Sequence, residues 1–444
     1  MKNIVLAPII TKYNSMVLDA PITMHIELSS GCVLQCRHCY NYWRHNAAPA
    51  NLMSRDKLDC IIDEIIRHRV MHVIFTGGEP FLNYDNLCYG ISRMKQVGIS
   101  VSCNSNLLLA SRKKIRKLRD LGLDHILTSL NSYDPVRNDF IVNKPGAFKE
   151  IIRAIKLTVQ AGIRISVNMI ITQKNLHDVY KTGALAASLG AKNFFATRVV
   201  PNTSFDINTQ REFLLYKKET KIVLNELLRV KNDFRIRVGS LVPFPLCFLE
   251  DLDKYKDFYM HGCPAGNRML SINVNGEAHA CVHESESYGS ILDIGLKGVW
   301  KNMHSLWQKG DAFPARCKAC RYFEQCNAGC PLIGRAFYGK FASFDILRQG
   351  WKGKGGRTHS VGRIKENLKR QTFRVSDLLR FRKENGFYVI NRFGSEIVCV
   401  KEELAKIILR YFKSRKIFTV LDFKNGYQKD FIELINQKLI QIAE

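Results

Sequence analysis

Gly31-Cys32-Val33-Leu34-Gln35-Cys36-Arg37-His38-Cys39-Tyr40 sets three thiols at a C-x3-C-x2-C spacing. Just before it, Ile22-Thr23-Met24-His25-Ile26-Glu27-Leu28 alternates apolar and polar residues, the pattern of a half-buried strand. A strand that feeds three close thiolates into one loop suits an iron–sulfur cube, in which three irons each take one cysteine. No fourth cysteine lies nearby, so one iron keeps a position open to a chelating ligand. Zinc is the alternative, although zinc loops usually pair two such thiols with two further ligands in a tetrahedron.

Downstream, Val73-Ile74-Phe75-Thr76-Gly77-Gly78-Glu79-Pro80 reads as a buried strand running into a glycine turn. Glycine carries no Cβ and lets the backbone approach a ligand closely. Together these two stretches resemble the radical SAM superfamily, whose open iron chelates the nitrogen and carboxylate of S-adenosylmethionine (SAM). The resemblance implies that Cys32, Cys36 and Cys39 hold a 4Fe–4S cluster and that His38 lies by the adenine. It also implies that Gly77, Gly78, Glu79 and Pro80 hold the methionine end of SAM, with Glu79 at the amine. One electron from the cluster would cleave SAM to methionine and a 5′-deoxyadenosyl radical, which takes a hydrogen atom from the substrate.

Outward from this centre, short apolar strands alternate with amphipathic helices. Strands are expected over 70–76, 99–103, 125–130, 163–171 and 193–200, in addition to the one before Cys32. Helices are expected over 85–96, 112–121, 148–160 and 176–189. Another starts at Ser54, with Leu58, Ile61, Ile62, Ile65 and Ile66 on one face. Six βα units imply a parallel sheet with right-handed crossovers. The fold class is therefore α/β, and the resemblance implies a partial (β/α)6 TIM-type barrel, which six units fit. Chemistry in such barrels sits at the carboxyl ends of the strands, which here carry Asn104, Ser105, Asn106, Ser129, Asn131, Asn168 and Arg198. The resemblance makes Asn104, Ser105, Asn106 and Ser129 ribose contacts, with Asn168 and Arg198 further cofactor-binding candidates. For each, a loop cap is the alternative. Leu107 stands where the family usually has the glycine of a Thr-Asn-Gly turn.

A second cysteine block follows. Cys263 and Cys281 bracket Gly276 as C-x12-G-x4-C, and Cys317, Cys320, Cys326 and Cys330 follow as C-x2-C-x5-C-x3-C. This resembles the SPASM domain, the auxiliary-cluster extension of radical SAM enzymes that act on peptides and proteins. By that resemblance Cys263, Cys281 and Cys330 serve one auxiliary 4Fe–4S cluster and Cys317, Cys320 and Cys326 a second. The pattern's seventh cysteine is missing, and Asp345-Ile346-Leu347-Arg348 stands near its place. Arg348 is always protonated and cannot ligate iron. Asp345 is a candidate ligand, and an open iron or a lost second cluster are the alternatives. Cys247 is a candidate for the unassigned fourth ligand of the first cluster, and a zinc ribbon on Cys317 to Cys330 is the competing reading. Cys60, Cys88, Cys103 and Cys399 fall in apolar patterns and are expected to be buried structural thiols.

The tail changes character. Two apolar stretches flank Asn391-Arg392-Phe393-Gly394 as a hairpin, and helices are expected over 402–412, near 420–424 and over 428–437. Hairpin plus helices resembles the small PqqD-like winged-helix domain, which binds peptide leaders. A DNA-binding winged helix is the competing reading. The resulting domain plan is 1–210 barrel, 211–262 helical bridge, 263–350 Cys-rich auxiliary-cluster domain, 351–374 basic Gly-rich linker, and 375–444 winged-helix-like α+β domain.

The formal charge of +27 over 444 residues fits either a polyanionic partner or merely solvated surface lysines. The stretch from Lys352 to Arg374 holds eight Lys/Arg against Glu366 alone, so a flexible linker or a contact for an acidic ligand are both open. No run of eighteen apolar residues exists, so no membrane span is expected. Pro8 and the absence of a small-residue cleavage site argue against a signal peptide. With 14 cysteines and no such signal, a cytoplasmic, metal-binding protein is expected. The resemblances imply a maturase that forms an oxidative cross-link (thioether, C–C or C–O) in a ribosomally synthesised precursor peptide. Its partners would be that peptide and an electron donor such as flavodoxin or ferredoxin. An anaerobic sulfatase-maturase-like enzyme is one alternative, and an iron–sulfur redox regulator that binds nucleic acid is another.

Overall fold

The computed structural model describes residues 9–10, 17–41, 51–202, 207–249, 251–255, 258, 262–349, 371–376, 379–392, 397–419, 422, 431, 434–435 and 439–443. The chain divides into two compact units, one of Ala20–Gly356 and one of Met1–Asp19 with Arg357–Glu444.

The first unit is built on one sheet. Strands β1 (Thr23–Ser29), β2 (His72–Gly77), β3 (Ser100–Asn104), β4 (His125–Ser129), β5 (Arg164–Ile171) and β6 (Asn193–Arg198) lie side by side, all parallel. These are the six strands the sequence predicts, in chain order, with ends shifted by one or two residues. The helices between them are set by local chemistry. Ser54 caps Arg55–Arg67 by accepting from Lys57 N (3.3 Å), and Leu58, Ile61, Ile62 and Ile65 are buried on its inner face. Each such side chain stabilises the fold by about 1.5–3 kcal/mol on burial. Ser111 caps Arg112–Asp120 in the same way.

The sheet runs beyond six strands. The segment 211–262 is not a separate bridge. Its helix Lys217–Phe234 packs on helix Val179–Ser188 and leads into β7 (Arg237–Gly239), parallel to β6. On the other side β8 (Met269–Ile272) pairs parallel with β1, and β9 (Ala278–His279) turns back antiparallel on β8. The cysteine-rich segment is therefore joined to the barrel sheet through β1 and shares its compact unit. The described order β9-β8-β1-β2-β3-β4-β5-β6-β7 is an open sheet. A helix that the sequence reading passed over, Pro135–Val142, follows β4, with Asp134 as its cap and Pro135 at its first position.

The second unit holds an antiparallel sheet in the order Ile9–Ile10, Ile397–Lys401, Phe387–Arg392, Leu379–Glu384. The expected hairpin is its central pair. The strand Leu379–Glu384 was not expected, although Asn385-Gly386, with Gly386 at φ +81°, is a strong two-residue hairpin signal. Ile9–Ile10, expected in the barrel, instead pairs with Ile397–Lys401, where it covers backbone groups that an edge strand leaves open. Helix Glu402–Ser414 buries Leu404, Ala405 and Ile408 against Phe373, Ile390 and Val400. The helices expected near 420–424 and over 428–437 fall mostly outside the described residues, and the basic linker lies outside them except at its last residues. Among the described residues no helix is long and apolar enough to cross a membrane. Of the thiols expected to be buried, Cys103 and Cys399 are, Cys88 is half-buried, and Cys60 is exposed because it faces outward on its helix.

Candidate active site

The loop after β1 is seated from two sides. From one, Gln35 N and Arg37 N donate to Val142 O (3.3 Å) and Ile141 O (3.0 Å) at the end of helix Pro135–Val142. Arg37 adds Nε to Phe140 O (3.0 Å) and lies over the Phe140 ring at 4.3 Å. From the other side, Gly78 N donates to Ser29 O (2.7 Å) and Glu79 N to Gly31 O (2.8 Å). This approach is close enough that a Cβ on Gly77 or Gly78 would overlap the carbonyl oxygens of Ser29 or Gly31. Gly77 also sits at φ +130°, a region that L side chains rarely adopt. The glycines thus bring the tops of β1 and β2 into contact.

Cys32, Cys36 and Cys39 are all half-buried on this one loop. Cys32 Sγ accepts from Leu34 N (3.4 Å) and Asn106 Nδ2 (3.5 Å), donors that stabilise a thiolate. Beside them, His38 Nδ1 and Asn41 Oδ1 are covered polar atoms without a partner among the described residues. Burial holds the His38 imidazole down at about 4, so it is neutral at pH 7.

Glu79 is fully buried and caps the short 3-10 turn Pro80–Asn83 through Phe81 N (3.0 Å). Its carboxylate also accepts from Ser105 Oγ (2.7 Å) and Asn106 N (2.9 Å) at the top of β3. Burial raises it to about 7 against the opposing pull of these hydrogen bonds. Ser105 and Asn106 therefore orient Glu79, and Asn106 also orients Cys32. Leu107 takes φ +63°, the left-handed conformation that the missing glycine would favour, with its side chain fully buried.

Farther along the strand tops, Asn104 and Ser129 are half-buried on β3 and β4. Asn168 accepts from Thr197 Oγ1 (2.6 Å), and it lies opposite Ser129 in register. Arg198 and Asp345 are brought to each other. Arg198 Nη1 donates to Asp345 Oδ1 (3.0 Å) and its Nη2 to Asp345 Oδ2 and to Pro243 O. Asp345 further accepts from Cys330 N (3.1 Å) and Leu347 N (3.0 Å). Both residues are buried, so the pair is a tie between β6 and the cysteine-rich segment.

The downstream cysteines form two groups. Cys263, Cys281 and Cys330 are buried and interact electrostatically with one another. Burial pushes the Cys263 thiol up to about 12 and Cys281 well above the usual thiol range. Such thiols ionise when a metal cation takes the proton's place. Glu284 lies beside Cys281 and Cys263, raised to about 7 by burial. Cys317, Cys320 and Cys326 line a separate, partly open cavity. Among the described residues no three His, Cys, Asp or Glu side chains converge on a point fit for a single ion. A cube asks for thiolates around a space, at separate corners.

The sequence reading missed one group. His25, Glu27, Tyr40 and His283 gather near the cluster loop, with Tyr40 and His283 rings 4.3 Å apart. Burial holds His25 and His283 at about 4 and lifts Glu27 well above the carboxylate range. The available signal was His25 and Glu27, two titratable residues at alternate positions of a strand that alternates apolar and polar residues, placing both on one face.

Residues 26–186 match the Radical SAM superfamily. Over 355 residues the chain is 24% identical to an AdoMet-dependent heme synthase of Methanosarcina barkeri, covering 75% of this chain and 99% of that protein. It is 27% identical to the mycofactocin maturase MftC of Mycobacterium tuberculosis, covering 70% and 79%. Its fold is similar to Streptococcus suis SuiB bound to the precursor peptide SuiA, with a TM-score of 0.59 at 15% identity over 76% of each chain. The covered His38 and Asn41 atoms, the glycine cradle and three thiols on one loop fit the cofactors of that family. The chain carries a radical SAM domain over residues 26–186 and is an enzyme that uses a 4Fe–4S cluster and SAM.

Proposed function

We propose that the enzyme installs an oxidative cross-link, a thioether, C–C or C–O bond, in a ribosomally made peptide. The observation that carries this reading is a radical SAM domain joined in one unit to two further cysteine groups. A cross-link removes two hydrogens from the peptide. The first leaves as a hydrogen atom to the 5′-deoxyadenosyl radical, and the second leaves as a proton to solvent and an electron, for which one or two auxiliary 4Fe–4S clusters at these cysteines would be the acceptor. Similarity to a mycofactocin maturase, and a fold like that of SuiB with its bound precursor peptide, support a peptide substrate.

In this reading Cys32, Cys36 and Cys39 hold the SAM-binding cluster, with Leu34 N and Asn106 Nδ2 fixing the Cys32 sulfur. The cluster and SAM, once bound and reduced by a flavodoxin or ferredoxin, supply the 5′-deoxyadenosyl radical that takes hydrogen from the peptide. Glu79, aimed by Ser105 and Asn106, takes the SAM amine, and His38 meets the adenine as a neutral ring. Asn104 and Ser129 face the ribose. The second unit would hold the leader in a PqqD-like manner. Leu379–Glu384 is an edge strand of its described sheet, so an extended peptide can add to it.

A second reading, a heme-forming reaction, is favoured by the match along 99% of a heme synthase. The test is to incubate the reduced, cluster-loaded protein with SAM and with short peptides encoded by open reading frames beside its gene. Loss of two hydrogens from the peptide supports cross-linking. Turnover of a porphyrin precursor, with the peptide unchanged, would overturn it.

A further inference from the structure

We propose that Cys247 is the fourth thiolate of the cluster at Cys317, Cys320 and Cys326, filling the corner that the missing seventh cysteine leaves bare. This rests on the reading that those three cysteines hold a cluster at all.

Cys247 lies far upstream of the other three, on the one-turn segment Leu246–Phe248. That segment is tied to the site, because Leu246 N donates to Cys326 Sγ at 3.3 Å. Cys247 lines the same cavity as Cys317, Cys320 and Cys326, so four thiols face one space. It is also within electrostatic reach of both Cys317 and Cys326. The first cysteine group has other neighbours, with Cys263 and Cys281 flanked by each other, Cys330 and Glu284. The spatial grouping thus moves Cys247 from the first cluster, where the sequence suggested it, to the second.

The two other candidates for that corner are accounted for. The Asp345 carboxylate is occupied by Arg198, Cys330 N and Leu347 N. Arg348 does line the cavity and hydrogen-bonds Cys317, with its guanidinium 4.0 Å over the Phe344 ring. It presents only donors, so its role is to donate to sulfur and place a positive charge beside the cluster, which favours the reduced form. A cluster with four protein thiolates has no iron open to a substrate thiol. It would relay an electron.

The test uses full-length protein reconstituted anaerobically with iron and sulfide. Wild type, Cys247→Ala, Cys247→Ser, Cys320→Ala and Cys88→Ala are compared by iron and sulfide content and by electron paramagnetic resonance. Cys247→Ala and Cys320→Ala are expected to lose about one to four irons per chain, because a cluster iron without its thiolate is labile. Both should perturb the same resonance, while Cys88→Ala matches wild type. Cys247→Ser keeps the side-chain volume and guards against a packing effect, and an altered resonance in it supports ligation. Cys320→Ala losing iron while both Cys247 variants keep wild-type iron and spectra would overturn the assignment of Cys247 and leave the cluster standing. Wild-type iron and spectra in all variants would overturn the cluster reading as well.

Discussion

Asn106 ties Glu79 to Cys32, since its backbone N–H donates to the Glu79 carboxylate and its Nδ2 to the Cys32 sulfur. Burial raises the Glu79 pKa to about 7, so its charge changes near neutral pH rather than in the usual carboxylate range. A cationic amine binds the ionised form. SAM affinity should therefore rise as pH increases through about 7, by up to about tenfold per unit on the acid side, and level off above. Equilibrium dialysis between pH 6 and 8 checks this. Glu79→Gln should flatten the dependence and weaken binding, and an unchanged profile would remove Glu79 from the amine site. Gly78 permits a sharper test. Its missing Cβ is the space occupied by Gly31 O, so Gly78→Ala should displace the cluster loop and abolish SAM cleavage. Gly77→Ala adds left-handed strain of about 1–3 kcal/mol. Arg198 faces Asp345 with both side chains buried. Arg198→Leu leaves a buried carboxylate unpaired and should cost about 3–5 kcal/mol, read as a lowered melting temperature. The double variant Arg198→Leu/Asp345→Asn should recover part of that loss.

At the scale of elements, the six parallel strands were legible because buried β-branched runs and amphipathic helices alternate with clear caps. Ser54 and Ser111 mark two helix starts in the sequence and cap them in the structure. Pro135–Val142 was missed because its eight residues show little amphipathic contrast, although Asp134-Pro135 is a start signal. This helix matters to function, since its last carbonyls receive Gln35 N and Arg37 N of the cluster loop. Asp134→Ala removes bonds to Val136 N and Arg137 N and should cost about 1 kcal/mol. Cluster loss on dilution should accelerate with it, and an unaltered rate would mean that the loop is held by Gly77 and Gly78 alone. The C-x3-C-x2-C spacing was readable as one local group, because residues on a single loop stay close whatever the rest of the fold does, and Cys32, Cys36 and Cys39 are all half-buried there. The sequence offered Cys247 to the first cysteine group, and the structure sets it in the cavity of Cys317, Cys320 and Cys326, because nothing in a linear spacing records which distant turn reaches a cavity. Arg198 and Asp345 were each given a ligand-binding role, since a buried ion pair between residues so far apart leaves no local sign.

For the whole molecule, sequence neighbours proved a poor guide to boundaries. The cysteine-rich segment is hydrogen-bonded to β1 through β8, while Ile9–Ile10 belongs to the C-terminal sheet. Contiguous domains drawn by composition cannot show either, because strand pairing at an open edge ignores chain distance. The direct continuation from β8 and β9 to Cys281 gives that thiol a fixed place relative to the loop after β1. The most direct test of the whole account is anaerobic assay of 5′-deoxyadenosine from SAM, using reduced, reconstituted wild type and Cys36→Ala. The account predicts nucleoside formation by wild type that is lost in Cys36→Ala. Cluster-loaded wild type that leaves SAM intact, or equal cleavage by both proteins, would contradict it.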